Sequence, residues 1–412
     1  MLQVIWLLLI FIPEGLGIFL GRDLSRTFIA AFPFINFLNF QLQGSKIKIP
    51  LKISLLWIFF LILYFFSSIF SSGDIQVSFK WLFLQTSLFF SFIFFYNTQN
   101  LKFRFLEIGI LISVIFCVYT SFIYIGINFF SNSLLTLPEN GYQYVYSKFG
   151  SHNHLGDFLV IFFFAVCFYI QKHKSIFLYF LGLIFIIFII GSYSRSAYIS
   201  LAVTIAIYSF WKRHEISKLK LNILIGVLIL LFSLSFVVVK DVQNLPVIGQ
   251  LHGFIQSVGK LGDKEITAKR FAFLYQAEQG IKAKPLLGFG PGNFLEVSTL
   301  YTPHQTRTHS AHNILLDLGA EVGLPALIIF TSIIGLILWN AIKNTTVISL
   351  MIIAFLINSM TDYTYRIYSF LFLFVALSGL NHQEKGVYMN RKQQKVFLAL
   401  TFISIIFLLI LL

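Results

Sequence analysis

The sequence predicts an all-α polytopic membrane protein of about 12 to 13 transmembrane helices. Of its 412 residues, 58% are hydrophobic and only 11% are charged, whereas soluble globular proteins carry about 25% charged residues. Apolar runs of 17 residues or more recur along the whole chain, and runs of this length are typical of membrane-spanning helices. The runs are continuous, whereas a β-barrel would show alternation.

Thirteen apolar segments are candidate spans, separated by short polar connections. They lie at about 2–20, 24–40, 51–72, 79–96, 105–130, 155–171, 175–191, 195–211, 221–239, 313–339, 346–360, 366–380 and 396–412.

Lysine and arginine residues predict the orientation, because they are enriched in short cytoplasmic loops. With the N-terminus in the cytoplasm, the inside loops hold sixteen basic residues and the short outside loops hold six. The sixteen are Lys46, Lys48, Lys52, Lys102, Arg104, Lys172, Lys174, Lys212, Arg213, Lys218, Lys220, Lys343, Lys385, Arg391, Lys392 and Lys395. The six are Arg22, Arg26, Lys80, Lys148, Arg195 and Arg366.

Two longer loops fall on the outside, and the whole chain is expected to form one membrane domain. The smaller loop covers 131–154 and the larger covers 240–311. A loop as long as the second needs a fold of its own. Thr267 can cap a helix that continues to about Lys284 and is ended by Pro285, so short helices are expected there.

The net charge of +14 is explained by cytoplasmic loops that face anionic lipid, and it gives no reason to expect nucleic acid. Cys117 and Cys167 both lie in apolar spans, without the spacing of metal ligands. The N-terminus lacks a basic stretch ahead of its apolar run, so no cleavable signal peptide is expected.

Two arginines stand at helix ends on the outer side. Arg195, in GSYSRSAY, closes a polar stretch with three serines at the start of a span. Arginine at such a depth either has a partner or anchors the helix end in the headgroups. Arg270, beside Lys269, begins the loop helix, where a cation opposes the helix dipole unless an anion is bound. A solvated surface arginine is the alternative.

A cluster of basic and imidazole groups follows in the same loop: His304, Arg307, His309 and His312. No carboxylate or cysteine is near in sequence and the HExxH pattern is absent, so the cluster does not predict zinc. An imidazole can instead act as a general base near neutral pH. His312 has the best position, immediately before Asn313 and a span, although a histidine that caps a helix end is the alternative.

Three further features of the sequence bear on the candidate site. The segment GFGPGNF (288–294) follows no strand and lacks GK[ST], so it indicates a tight turn and not a nucleotide site. SHNH (151–154) places Asn153 at another helix entrance. Glu321, flanked by Gly319 and Gly323, is expected to face protein or a water-filled cavity and not lipid.

The order of these motifs resembles the O-antigen ligase/polymerase superfamily of bacterial membrane glycosyltransferases. The resemblance rests on SRSA (194–197), AKRFAFLYQAEQGIKAKPLLGFGPGNF (268–294) and HNILLDLGAEVGLPA (312–326), with SHNHLGDFL (151–159) as a fainter match. It is strongest over about 190–330.

The resemblance implies a GT-C-like membrane enzyme in the bacterial inner membrane. Such an enzyme moves a glycan from an undecaprenyl-diphosphate carrier to an acceptor on the periplasmic face, with inversion and without a metal or other cofactor. By motif match, Arg195 and Arg270 would hold the diphosphate, and His312 would assist the acceptor hydroxyl. The residues placed around the substrate are His309, Asn313, Arg307, Asn153 and Lys269.

Four functions remain open on the sequence. A ligase that joins glycan to lipid A-core is favoured, because the HN motif directly precedes a span after one dominant loop. A polymerase of O-antigen or exopolysaccharide would use the same motifs, and a protein O-oligosaccharyltransferase usually carries a longer soluble C-terminal part. A transporter is the alternative from another class, but paired broken helices near the bilayer midplane are absent from the pattern.

Overall fold

The computed structural model describes residues 2–16, 21–129, 152–192, 194–212, 264–301 and 307–411. Within these ranges the chain is helical apart from one two-stranded sheet, which confirms the all-α class. Four features of the sequence analysis lie outside the described residues: the predicted span 221–239, residues 131–151 of the smaller loop, the first part of the larger loop and His304.

Fifteen α-helices are present in the described ranges. They are α1 (Leu2–Gly15), α2 (Gly21–Leu42), α3 (Leu51–Ile69), α4 (Ile75–Asn97), α5 (Lys102–Phe129), α6 (His152–His173), α7 (Ile176–Gly191), α8 (Arg195–Trp211), α9 (Lys264–Ala283), α10 (Phe294–Tyr301), α11 (Ile314–Val322), α12 (Leu324–Asn344), α13 (Val347–Thr361), α14 (Tyr368–Asn381) and α15 (Arg391–Leu411). Two 3₁₀ turns, Gln99–Leu101 and Thr364–Arg366, and the strands β1 (Lys48–Ile49) and β2 (Val387–Tyr388) complete them.

Apolar helices long enough to cross a bilayer recur through the chain, so the protein is a multi-pass membrane protein. Five described helices meet both the length and the hydropathy expected of a span, namely Leu51–Ile69, Ile75–Asn97, Gln99–Phe122, Asn153–His173 and Leu324–Asn344. Four shorter apolar helices pack among them, namely Ile5–Gly15, Ile176–Gly191, Val347–Thr361 and Tyr368–Asn381.

The helix ends meet at two faces. At the first, β1 pairs antiparallel with β2, Tyr96 Oη donates to Glu384 O at 2.6 Å, and Asn344 Nδ2 donates to Asn381 O at 2.7 Å. The described lysines and arginines that the sequence assigns to the cytoplasm lie at or near these helix ends. We call this end of the molecule the basic face.

The opposite end carries the loop between α9 and α11, and we call it the site face. Ser67 Oγ, near the end of α3, donates to Leu287 O at 2.6 Å. Asp74 N, ahead of α4, donates to Asn293 Oδ1 at 3.0 Å. A small apolar core of its own (Ala277, Phe289, Phe294, Val297, Ala311 and Ala320) holds α9, α10 and α11 together. The predicted loop helix is therefore packed against the end of the membrane helices.

The structure divides the predicted span 313–339 into two helices at Gly323. Gly323 has φ +90°, and a Cβ there would lie 2.3 Å from Leu286 O, so a side chain would clash as well as strain the backbone. Leu324 N donates to Pro285 O at 2.7 Å, which ties the break to the end of α9. Thr267 also differs from its predicted position, since α9 begins at Lys264 and Thr267 lies inside the helix. Because of the break, α11 is a short helix at the site face and is not the start of a span.

Candidate active site

Arg195 emerges from a helix end that is fixed by a buried carboxylate. Ser194 caps α8 by accepting from Ala197 N at 3.2 Å. The hydroxyls of Ser194 and Ser196 lie 3.3 and 2.8 Å from Asp157 Oδ1, to which they donate. Asp157 belongs to α6 and is fully buried. Half-buried Arg195 is thus the first residue of a helix whose start is anchored to α6.

The same carboxylate reaches the connection between α13 and α14. Thr364 Oγ1 donates to the second oxygen of Asp157, Oδ2, at 2.5 Å. Two residues earlier in that connection lies Asp362, which is also buried. The start of α8 and the segment around Asp362 are therefore joined through one side chain.

Asp362 is the centre of the site. Its Oδ1 accepts from His312 Nδ1 at 2.9 Å and from Tyr363 N at 2.8 Å, and its Oδ2 accepts from Asn153 Nδ2 at 2.7 Å. An ionised carboxylate only accepts hydrogen bonds, so Nδ1 of His312 carries the proton in this pair. In the neutral ring the lone pair is then on Nε2, as a general base requires.

The ionised state of Asp362 follows from its surroundings. Burial alone raises the pKa of this carboxyl, but the hydrogen bond from His312 and the charges of His154 and His312 outweigh burial and bring the pKa down to about 2. Asp362 is therefore a fixed negative charge at any physiological pH. It can orient the His312 ring and stabilise the imidazolium that forms when the ring takes a proton.

His312 is held on three sides. Its ring stacks on Phe273 at 5.4 Å between centroids and 11° between planes, and it makes a T-shaped contact with Tyr363 at 4.8 Å between centroids. Its backbone has φ +56°, a left-handed conformation that costs a non-glycine residue about 1–3 kcal/mol. The side chain keeps 21% of its surface exposed, so it remains accessible to a substrate.

Helix α9 delivers Arg270 to the same place. Arg270 Nη1 donates to Thr361 O at 2.6 Å, the carbonyl immediately before Asp362. Phe273, one turn further along α9, is the residue that stacks on His312. Among the described residues that bond takes one of the guanidinium's five N–H donors, and the others are available to an anion.

The remaining predicted site residues have different surroundings. Asn313 caps α11, since its Oδ1 accepts from Leu315 N at 3.1 Å and from Leu316 N at 3.2 Å, and its Nδ2 donates to Met360 O at 3.1 Å. The side-chain amide of Asn313 thus stabilises the start of α11 and binds it to the end of α13. Arg307 and His309 are exposed. Lys269 lies in α9, and its side chain is outside the described residues.

Glu321 faces protein, in agreement with the sequence interpretation. Its Oε2 accepts from Gly292 N at 2.9 Å, and its Oε1 accepts from Phe294 N at 3.0 Å and from Arg366 Nη2 at 2.7 Å. The carboxylate therefore holds the 288–294 turn, in which Gly290 and Gly292 have positive φ. No phosphate-type ligand is needed to explain these glycines.

The sequence interpretation missed Asp362, Asp157 and Arg366 as parts of the site. Asp362 and Arg366 lie in the short connection TDYTYR (361–366) between two spans. An acid and an arginine in so short a connection at the predicted outer surface were the available signal. Their pairing with residues about 50 positions earlier could not be read from the chain.

Comparison with known proteins gives the class. Residues 180–331 match a protein-family model described as O-antigen ligase. No curated protein and no solved structure matches the chain. The match covers Arg195, Arg270 and His312, whereas Asp362 lies beyond it.

The protein is thus a membrane glycosyltransferase-like enzyme by its fold class and family match. More particularly, the match over residues 180–331 supports the O-antigen ligase/polymerase superfamily. Lipid-linked glycans and a membrane setting are the substrates and context that this family implies. No group of three or more His, Cys, Asp or Glu side chains arranged to hold a metal ion occurs in the described part of the chain.

Replacing Asp362 by Asn tests the role of the fixed charge at His312. We expect the rate of glycan transfer to fall on the order of 10²-fold, which is the lower end of what a general base contributes. At pH values above the ordinary pKa of an aspartate, the free energy of unfolding should also fall by about 2 kcal/mol. The reason is that a carboxyl whose pKa is depressed in the folded state stabilises the fold when it is ionised.

The pH dependence has a definite sign. The advantage of the wild type over Asp362→Asn should be constant above the ordinary pKa of an aspartate and should shrink as pH falls toward about 2. Thermal unfolding of both purified proteins between pH 7 and pH 3 measures it. An advantage that grows as the pH is lowered would contradict the assignment.

Proposed function

We propose that the protein is an O-antigen ligase of the bacterial inner membrane. It moves a glycan from undecaprenyl diphosphate to lipid A-core oligosaccharide at the periplasmic face, with inversion and without a metal. The observation that carries the proposal is the pair of His312 and Asp362 with Arg270 beside it, at one end of a bundle of membrane helices.

Topology supports the periplasmic placement. The site lies at the face opposite the basic face, and short loops rich in lysine and arginine are typical of the cytoplasmic side. The N-terminus and the basic face are therefore assigned to the cytoplasm. A lipid-linked donor in the outer leaflet would present its diphosphate at the depth of the site face.

Two arginines suit a diphosphate. Arg195 opens the 17-residue helix α8, and the start of a helix favours an anion. Arg270 retains donors for phosphate oxygens beside Asp362. As the sugar–phosphate bond breaks, negative charge develops on the diphosphate, and fixed guanidinium groups stabilise that charge without rearrangement.

His312 supplies the base. Nε2 removes the proton of an acceptor hydroxyl as the hydroxyl oxygen attacks the anomeric carbon. The bond from that carbon to the diphosphate oxygen breaks, and the diphosphate leaves with the electron pair from the opposite face of the sugar. The imidazolium that results is stabilised by the charge of Asp362.

A gene deletion tests the reaction as a whole. We expect lipopolysaccharide gels to lose all long-chain material on lipid A while glycan accumulates on the carrier, because only the last transfer is blocked. Restored long chains on re-expression of the full-length protein are the control. Stopping at a single repeat unit would instead identify a polymerase, and unchanged glycans would favour a transporter.

Alanine at Arg195 or at Arg270 tests the donor site. Each change should lower transfer by on the order of 10²-fold or more, because one charge that stabilises the leaving diphosphate is lost. Transfer by purified protein with a lipid-linked donor is the measurement, with membrane abundance checked in parallel. Arg104→Ala, at the basic face, is the matched control and should retain activity. Near-normal glycan transfer by both variants would show that Arg195 and Arg270 are not part of the donor site.

Alanine at His312 should cost far more activity than alanine at His309. His312 is oriented by Asp362 at 2.9 Å, whereas His309 is exposed. We expect a loss on the order of 10² to 10⁴-fold for His312→Ala and little for His309→Ala in the same assay. The reverse order would assign the base to His309.

A further inference from the structure

The backbone of His312 is fixed by a chain of hydrogen bonds that does not touch its imidazole. His312 N donates to Ser310 Oγ at 2.9 Å. Ser310 Oγ lies 3.0 Å from Tyr365 Oη, and Tyr365 Oη donates to Asp317 Oδ2. Three elements are linked in this way: the segment ahead of α11, α11 itself and the turn after α13.

The direction of every bond in the chain is determined by its two ends. An amide N–H can only donate, and an ionised carboxylate can only accept. Ser310 therefore accepts from His312 and donates to Tyr365, and Tyr365 accepts from Ser310 and donates to Asp317. Each hydroxyl has one orientation, and such aligned bonds strengthen one another.

The chain of hydrogen bonds ends on an ion pair between the buried carboxylate of Asp317 and the largely buried guanidinium of Arg366. Arg366 donates to Asp317 Oδ2 through Nε at 3.0 Å and through Nη2 at 2.5 Å. The other oxygen, Asp317 Oδ1, accepts from Ala311 N at 2.5 Å. Asp317 thus holds the amide of the residue before His312 directly and holds the amide of His312 through two hydroxyls.

Burial makes this arrangement rigid. Ser310 is 3% exposed, Asp317 2% and Tyr365 5%. A buried polar group that loses its partner cannot replace it with water. The backbone at positions 311 and 312 is consequently bound, directly or through two hydroxyls, to the buried carboxylate of Asp317.

We propose that Ser310, Tyr365, Asp317 and Arg366, which we call the His312 tether, are positioning residues for the base. The tether keeps His312 in its left-handed conformation, φ +56°, and so keeps Nδ1 at Asp362. The catalytic consequence rests on the proposed function. The effect of the tether on the His312 backbone does not rest on the proposed function. The effect on the backbone and the effect on catalysis are tested by separate measurements.

Hydrogen exchange tests the hold without any substrate. In the full-length protein in detergent, the amide of His312 should exchange slowly, and Ser310→Ala should accelerate it by roughly threefold to tenfold, the factor for one lost hydrogen bond. The amide of Ala311, which donates to Asp317, is the reference inside the same peptide. Ser310→Thr keeps a hydroxyl and should restore protection.

A matched serine provides the control. Ser378 in α14 is also 3% exposed, and its Oγ donates to Phe374 O at 2.7 Å, far from His312. Ser378→Ala should leave the His312 amide protected. If Ser310→Ala lowers protein yield too far, Tyr365→Phe gives the second measurement. Unchanged exchange at His312 in the Ser310 or Tyr365 variant overturns the tether.

Kinetics test the positioning role. Ser310→Ala should lower kcat of glycan transfer by roughly tenfold to a hundredfold, as a small misplacement of a base does, with KM for the lipid-linked donor unchanged. In a His312→Ala background, Ser310→Ala should lower the residual rate no further, because there is no base left to position. An equal loss in both backgrounds means a general structural role and overturns the proposal.

Hydrogen exchange and kinetics together distinguish a failure of the proposed function from a failure of the His312 tether. A wild-type protein that transfers no glycan, but whose His312 amide loses protection in Ser310→Ala, refutes the proposed function and retains the hold on the backbone. A wild type that transfers glycan as fast as Ser310→Ala retains the function and refutes the positioning role.

Discussion

The ion pair of Arg366 with Asp317 and Glu321 is the interaction on which the site face depends. Both carboxylates belong to the short helix α11, and both accept backbone N–H groups as well as the guanidinium. Buried charges are costly unless such bonds satisfy them. Here the same bonds hold the 288–294 turn on one side of α11 and the backbone before His312 on the other.

The connection between α13 and α14 brings the separate parts of the site together. Within residues 361–366, a carbonyl binds Arg270, one carboxylate binds His312 and Asn153, and a threonine hydroxyl binds Asp157 under the start of α8. Three distant regions of the chain, namely α6, α9 and the segment at His312, thus meet at six consecutive residues. A shift of this connection would move the base and both arginine-bearing elements together, because each is bonded to it or to its neighbours.

The sequence was sufficient for the all-α membrane class, whereas the orientation of the two faces stays a prediction. Arg195, Arg270 and His312 could be singled out because each lies within a recognisable motif, although α9 begins at Lys264 and Arg270 is not at its start as the sequence suggested; their catalytic roles stay predictions. Asp362 could not, since an acid between two spans is ordinary until its partner is known, and His312 is 50 positions away. The break at Gly323 was missed for a similar reason. Apolar residues continue through it, and the positive φ of Gly323 together with the close approach of Leu286 O explains why a glycine is there.

The reaction that we propose requires a site that suits both an anionic donor and a neutral acceptor. Positive charge is contributed by Arg195 at the start of α8 and by Arg270 within α9, whereas the negative charge of Asp362 is paired with the His312 imidazole. If Asp362 faced the diphosphate directly, like charges would repel. In the proposed reaction the carboxylate stabilises the proton that His312 receives, while the arginines stabilise the charge on the leaving diphosphate. The proposed mechanism thus uses a negative charge to support the base and positive charges to support the leaving group.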